Sequence, residues 1–206
     1  MSPRMADPAI RTALIEAAAR LLAEEGPTAL STRRLATEVG TSTMTIYTHF
    51  GSMSELHAAV RREGFARLAA AMEQSRVADD PVAKLADGCA AYLRAAVGEP
   101  ELYWAMFNHR PPTEDDAGGE VFAKLRQGVD DCVEAERFSD PGPDGSFLWA
   151  GEIWAALHGL IVLTLSRTVT DQTVRFMLAD LLLRLCVGFG DDSADARRSI
   201  DSAHLS

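Results

Sequence analysis

The period of the apolar residues constrains this fold more than any other feature. Along nearly the whole chain they return every three or four positions, the spacing of one helix face. No window alternates apolar and polar residues like a half-buried strand. The pattern predicts an all-α protein of about nine helices. Start and stop signals divide it. Asp7-Pro8 supplies an N-cap followed by a first-turn proline, ahead of a stripe of Ile10, Leu14, Ala17 and Leu21 that stops at Gly26-Pro27. Ser31 caps a short helix from Thr32 to Val39, with Leu30 and Leu35 placed as a hydrophobic staple and Gly40 as the stop. A second short helix is expected from about Thr43 to His49. Ser52 and Glu55 then read as a capping box that opens a long helix to about Ser75.

Asp79-Asp80-Pro81 marks the next boundary. Helices are predicted over 82–97, 100–109, about 119–138, about 146–167 and 171–189. The Pro-, Gly- and Asp-rich stretches 110–118 and 139–145 are expected to be loops. From Gly190 onward four aspartates and two arginines leave little to bury, so residues 191–206 are expected to form a disordered acidic tail. This gives a head at 1–52, a linking helix at 53–76, a body at 77–190 and the tail.

Charge follows the same division. The chain carries a net charge of −10, yet residues 1–76 hold nine basic and eight acidic side chains, against eleven and twenty-two in the rest. A near-neutral head on an acidic body suggests two jobs. Lys84 and Lys124 are the only lysines among twenty basic residues, which fits high-GC codon usage. The three cysteines, Cys89, Cys132 and Cys186, lack a C-x-x-C spacing, which points to a reducing cytoplasm and away from structural zinc. Ile153 to Leu165 is uncharged for 13 residues, a length that suits a buried helix better than a membrane span of about 20.

The most informative stretch is Ser31 to Phe50. A helix-turn-helix needs a small residue where its helices touch, a residue that tolerates positive φ in the turn, and an apolar anchor on the second helix. Ala36, Gly40 and Ile46 fill these places, with Leu35 and Val39 completing the inward face. Such a unit projects the outer face of its second helix into a major groove. A plain helical hairpin inside an all-α core is the competing reading.

The segment T-I-Y-T-H-F (Thr45 to Phe50), behind the L-A-x-x-V-G turn, resembles the TetR family of bacterial transcriptional regulators. I-W-A-A-L-H-G-L (Ile153 to Leu160) resembles the W-x-x-x-H-G pattern in one branch of that family. The resemblance implies an all-helical homodimer in which each head reads DNA and each body holds an effector that lowers operator affinity. The expected function is a one-component regulator, a repressor released from a palindromic operator by a small, largely apolar molecule. It also implies no enzymatic activity, no cofactor and no membrane partner.

Residue by residue, Ser42, Thr43, Met44 and Thr45 open the recognition helix, where hydroxyls and methyls can meet base edges. Tyr47 and His49 resemble the family's phosphate-contacting pair, although a core tyrosine and a packing histidine are the alternatives. Arg33 and Arg34 can reach the backbone, or sit as solvated charges. Ser31, Thr32, Thr41, Thr48 and Ser52 complete the set, with the helix N-termini near Thr32 and Ser52 offering backbone N–H groups to phosphate. Two positions depart from the family pattern. Thr41 follows the turn glycine where a small aliphatic is usual, and Met53 stands where a lysine is common. Few cations in the head predict a shallow salt dependence.

Candidate effector residues are Tyr92, Trp104, Met106, Phe107, His109, Phe122, Trp154 and His158, each of which can equally be plain core. Candidate dimer residues are Leu148, Ile161, Leu165, Met177, Leu178, Leu181, Leu185 and Phe189, on two helices that either meet their twofold copies or bury entirely within one subunit. Two other functions stay open: a DNA-binding module controlled by a protein partner, and a helical enzyme. The second lacks any H-E-x-x-H, G-x-S-x-G or phosphate-cradling glycine loop.

Overall fold

A computed structural model describes residues 7–74, 79–108 and 116–203, and among them there are ten α-helices and no strand. They are α1 (Pro8–Glu25), α2 (Thr32–Val39), α3 (Thr43–Phe50), α4 (Met53–Glu73), α5 (Pro81–Gly98), α6 (Pro100–Asn108), α7 (Gly119–Glu134), α8 (Gly145–Leu165), α9 (Asp171–Gly188) and α10 (Ser193–Ser202). Side-chain caps start them where the sequence places them. Asp7 accepts from the Ala9 amide at 3.0 Å, Ser42 from Thr45 at 3.1 Å, Ser52 from Glu55 at 3.1 Å and Thr170 from Thr173 at 3.1 Å. Each such cap contributes about 1 kcal/mol.

The chain divides into two compact units. The first comprises Met1–Phe65 and Glu99–Ala117, the second Ala66–Gly98 and Gly118–Ser206. In the first, α2 packs on α1 and α3, and α6 lies along α1. Chain order had assigned α6 to the body; its packing puts it with the head. Met106 on α6 is fully buried beside Gly64, where a Cβ would lie 2.1 Å from the Met106 sulfur, so the two close-pack only because position 64 has no side chain.

In the second unit α5 packs on α7, α8, α9 and α10, and α8 on α7 and α9. By length and composition α8 could cross a membrane, with a mean hydropathy of 1.5. Ile153, Leu157, Leu160 and Ile161 form its buried stripe, and about a third of its apolar stretch is buried. Burial raises the thiol pKa of all three cysteines, that of Cys186 to about 12, so they remain protonated at neutral pH.

Two expectations about this unit are corrected. The tail is not disordered: residues 193–202 form α10. Asp192 caps it through the Ala194 and Asp195 amides, and Ala196 and Ile200 are buried one turn apart. An ion-pair cluster adds to that stripe. Arg137 donates to both oxygens of Asp191, at 2.9 and 2.8 Å, and to Ser199 at 3.0 Å. The Ser199 hydroxyl donates in turn to Asp80 at 2.6 Å. The other correction is that α7 stops at Glu134, four residues early. Glu136 takes a left-handed φ of 58°, and the amides of Glu136 and Arg137 turn back to the carbonyls of Val133 and Cys132. That turn, made without the usual glycine, aims Arg137 at Asp191.

Candidate nucleic-acid interface

The head turns at Gly40, which has φ 70° and ψ 35°, while the Thr41 amide bonds back to Ala36 at 2.8 Å. Leu35 and Ala36 on one side of this turn and Ile46 and Phe50 on the other are buried. Burying Ile46 contributes about 1.5–3 kcal/mol and fixes which face of α3 is outward. That outward face carries Thr43, Met44, Tyr47 and Thr48. Met44 is 71% exposed and Tyr47 48%, which removes the core-tyrosine alternative for Tyr47.

The hydroxyls divide into free and occupied. Ser42 caps α3 and also lies 2.9 Å from the Thr45 hydroxyl, so Thr45, half-buried, is partly occupied within the helix. Thr48 donates to the Met44 carbonyl at 2.9 Å. Ser31 and Ser52 serve as caps, the first accepting from the Arg34 amide at 3.3 Å. Thr32, Thr41 and His49 are half-buried, and the His49 ring is 6.1 Å from that of Phe50.

Among the cations, Arg34 is tied to Glu25 by a two-pronged ion pair and Arg20 to Glu38 at 2.6 Å. Arg34 is therefore not a free phosphate contact. Arg33 is exposed and forms no ion pair among the described residues. Sequence reasoning passed over Arg11, whose guanidinium sits 5.4 Å from the centre of the Phe50 ring. Only proximity in the fold reveals it.

The effector residues separate between the units. Tyr92, Phe122, Trp154 and His158 belong to the second. Tyr92 is fully buried and accepts from the Trp154 indole at 3.2 Å. Phe122 meets Trp154 edge-on at 5.8 Å and Phe147 at 5.0 Å. Phe147, which sequence reasoning missed, carries this aromatic chain to the surface at 57% exposure. His158 is half-buried one turn beyond Trp154, and burial lowers its pKa, so it is neutral at pH 7. Trp104, Met106 and Phe107 lie in the first unit, where Phe107 packs against Tyr103 at 4.7 Å and Phe65 at 5.5 Å. Met106 is buried in the first unit and Phe107 is half-buried there, so neither joins the Tyr92 set. His109 lies outside the described residues.

The candidate dimer residues divide as well. Leu148 and Met177 are exposed, and Leu165, Leu181 and Leu185 are half-buried. Ile161, Leu178 and Phe189 are buried inside the second unit, Phe189 stacked on Trp149 at 4.5 Å, so they are corrected to core. Glu152, Ala155 and Gly159 continue the exposed face of α8 from Leu148.

Residues 14–60 match the model of bacterial regulatory proteins of the tetR family, and residues 85–184 match a tetracyclin repressor-like C-terminal domain. The chain is 31% identical over 183 residues to an uncharacterised HTH-type transcriptional regulator, Rv0681, of Mycobacterium tuberculosis, covering 86% of this chain and 80% of that protein. Among solved structures, a Rhodococcus sp. RHA1 protein of unknown function aligns with a TM-score of 0.74 at 24% identity, over 93% of this chain and all of that one. RolR in complex with resorcinol aligns with a TM-score of 0.62 at 20% identity, over 96% of this chain and 97% of that one.

Proposed function

Because the chain belongs to the TetR family of bacterial transcriptional regulators and is a DNA-binding regulator, not an enzyme, we propose that it acts as a homodimeric repressor released from a palindromic operator by a small molecule. One observation carries this reading: α3 is clamped by Ile46 and Phe50 so that Thr43, Met44 and Tyr47 face solvent together. An exposed methionine beside a hydroxyl and a phenol suits a thymine methyl, a base edge and a phosphate oxygen. With no Arg, Lys, Asn or Gln on this helix, bidentate base readout is absent, and DNA shape supplies much of the discrimination.

Two heads must engage half-sites about 34–36 Å apart, so the reading needs a dimer. The outward faces of α8 and α9, with Leu148, Ala155, Gly159, Met177 and Leu181, are the surface this reading assigns to a four-helix interface with the twofold copy. For the effector, the Tyr92–Trp154–Phe122–Phe147 chain with His158 nearby favours a small, largely apolar aromatic; the resorcinol complex of RolR, a distant fold relative, is in keeping with this. To move operator occupancy from mostly bound to mostly free, such a ligand must prefer the released state by about 5.5 kcal/mol.

The test is a gel shift with purified chain on palindromes from beside its own gene. A discrete complex of two protomers, weakened by added salt and by a compound that raises the melting temperature, supports the reading. No shift on any such duplex overturns it.

A further inference from the structure

We propose that a cleft walled by the last turn of α4, the start of α5 and the middle of α7 binds a small zwitterion with an apolar side chain, of the α-amino-acid type. It is separate from the Tyr92–Trp154 aromatic chain and lies wholly within the second unit. Its volume is about 210 Å³. That is the space of roughly seven waters, below the range of drug-sized pockets. The floor is apolar: Met72, Pro81 and Leu85 line it. Two glycines make the room. A Cβ on Gly128 would lie 2.9 Å from Leu85 Cδ1, whereas one on Gly88 would meet nothing nearer than the Met72 carbonyl, at 4.0 Å. A Cβ on Gly88 is therefore accommodated in ordinary van der Waals contact.

The rim holds both signs of charge. Lys124 pairs with Glu73 and lies 3.7 Å from Glu120. Lys84 lies 3.9 Å from Asp131, which accepts from Gln127 at 2.8 Å. These are the only two lysines of the whole chain, brought from positions 40 apart to one opening; the other eighteen basic residues are arginines. An ammonium is a compact charge with rotatable donors, able to leave one carboxylate for another without disturbing its stem. At 3.9 Å the Lys84–Asp131 pair is too long for a hydrogen bond and leaves both partners with capacity to spare. A ligand with a single negative charge meets Glu73 and Asp131 at the mouth, and a single positive charge meets the lysines. A ligand carrying both charges satisfies the rim while its side chain covers the floor.

Binding at this site holds Met72 and Glu73, the end of the helix that leads out of the head. An effect on operator affinity follows, and that part alone rests on the regulator reading.

The experiment uses the full chain without DNA, by thermal shift and calorimetry, with L-leucine and L-phenylalanine as probes. The single-charge controls are 3-phenylpropionate and phenethylamine. The expected result is a melting-temperature rise of about 3–5 °C at ten times Kd for at least one amino acid, with both controls at least tenfold weaker. Lys124→Met is expected to remove the response. Gly88→Leu places a side chain in the floor, where its Cβ meets nothing nearer than 4.0 Å, and is expected to remove binding with an unchanged far-ultraviolet circular-dichroism spectrum. The inference is overturned if neither amino acid shifts the protein, if the controls bind equally well, or if Gly88→Leu binds like the parent. If an amino acid binds while no palindrome is shifted, the site stands and the regulator reading falls.

Discussion

Replacing Arg137 by Met tests how the C-terminal helix is held. The side chain of Asp191 is 2% exposed and that of Arg137 22%, and they meet through two hydrogen bonds of 2.9 and 2.8 Å. Methionine keeps the aliphatic stem and removes the charge, leaving a buried carboxylate without its cation. Removing one partner of a buried pair costs about 3–5 kcal/mol. Arg137 is partly open to water, so about 3 kcal/mol is the appropriate figure. At about 2–4 °C per kcal/mol for chains of this size, the melting temperature should fall by about 6–12 °C. Hydrogen exchange should lose protection first at residues 193–202. Adding Asp191→Asn should recover part of the loss, because the burial penalty then falls on a neutral amide. A drop under 2 °C with α10 still protected would refute the reasoning, leaving Ala196 and Ile200 to hold the tail without the cluster.

Other expectations follow from the same structure. Gly40→Val strains a left-handed position that has open space around it, so it should cost about 1–2 kcal/mol through backbone alone and weaken operator binding. Ile46→Ala should cost about 2–5 kcal/mol by cavity formation, and circular dichroism should show the head melting earlier. On acidification, burial holds the folded pKa of His158 below its ordinary value, so stability is full above the unfolded value of 6.5 and declines as pH falls below it, which a melting series from pH 8 to 5 would show. At Asp80, burial would raise the pKa, but the bonds from Ser199 and the Ala83 and Val82 amides, with the Arg137 charge, outweigh it. Its contribution is thus present above pH 3.8 and is lost as pH falls further, and Asp80→Asn should flatten that acid limb.

Local signals made much of this fold legible. Asp7, Ser31 and Ser52 announce their helices because a cap acts within three residues, and the recognition face follows from Ile46 and Phe50 one turn apart. What escaped was nonlocal. The tail looks too polar to fold because its main partner, Arg137, is 54 residues away in sequence from Asp191. The end of α7 is invisible because a glutamate occupies the left-handed position. Among apolar residues sequence cannot separate core from lining: Met106 and Trp154 look alike until Gly64 is found against one and Tyr92 against the other. Lys84 and Lys124 looked like codon usage until one cleft brought them together.

The central claim is that the exposed face of α3 reads DNA, and Tyr47→Phe tests it most directly. The change removes one hydroxyl from a 48%-exposed ring and leaves the packing of Ile46 and Phe50 untouched. Losing one phosphate bond of about 1.5 kcal/mol in each half-site should weaken fluorescence-anisotropy binding to the operator at least tenfold at fixed salt, with no change in melting temperature. Equal affinity for both proteins, or parent binding no tighter than to a scrambled duplex, would contradict it.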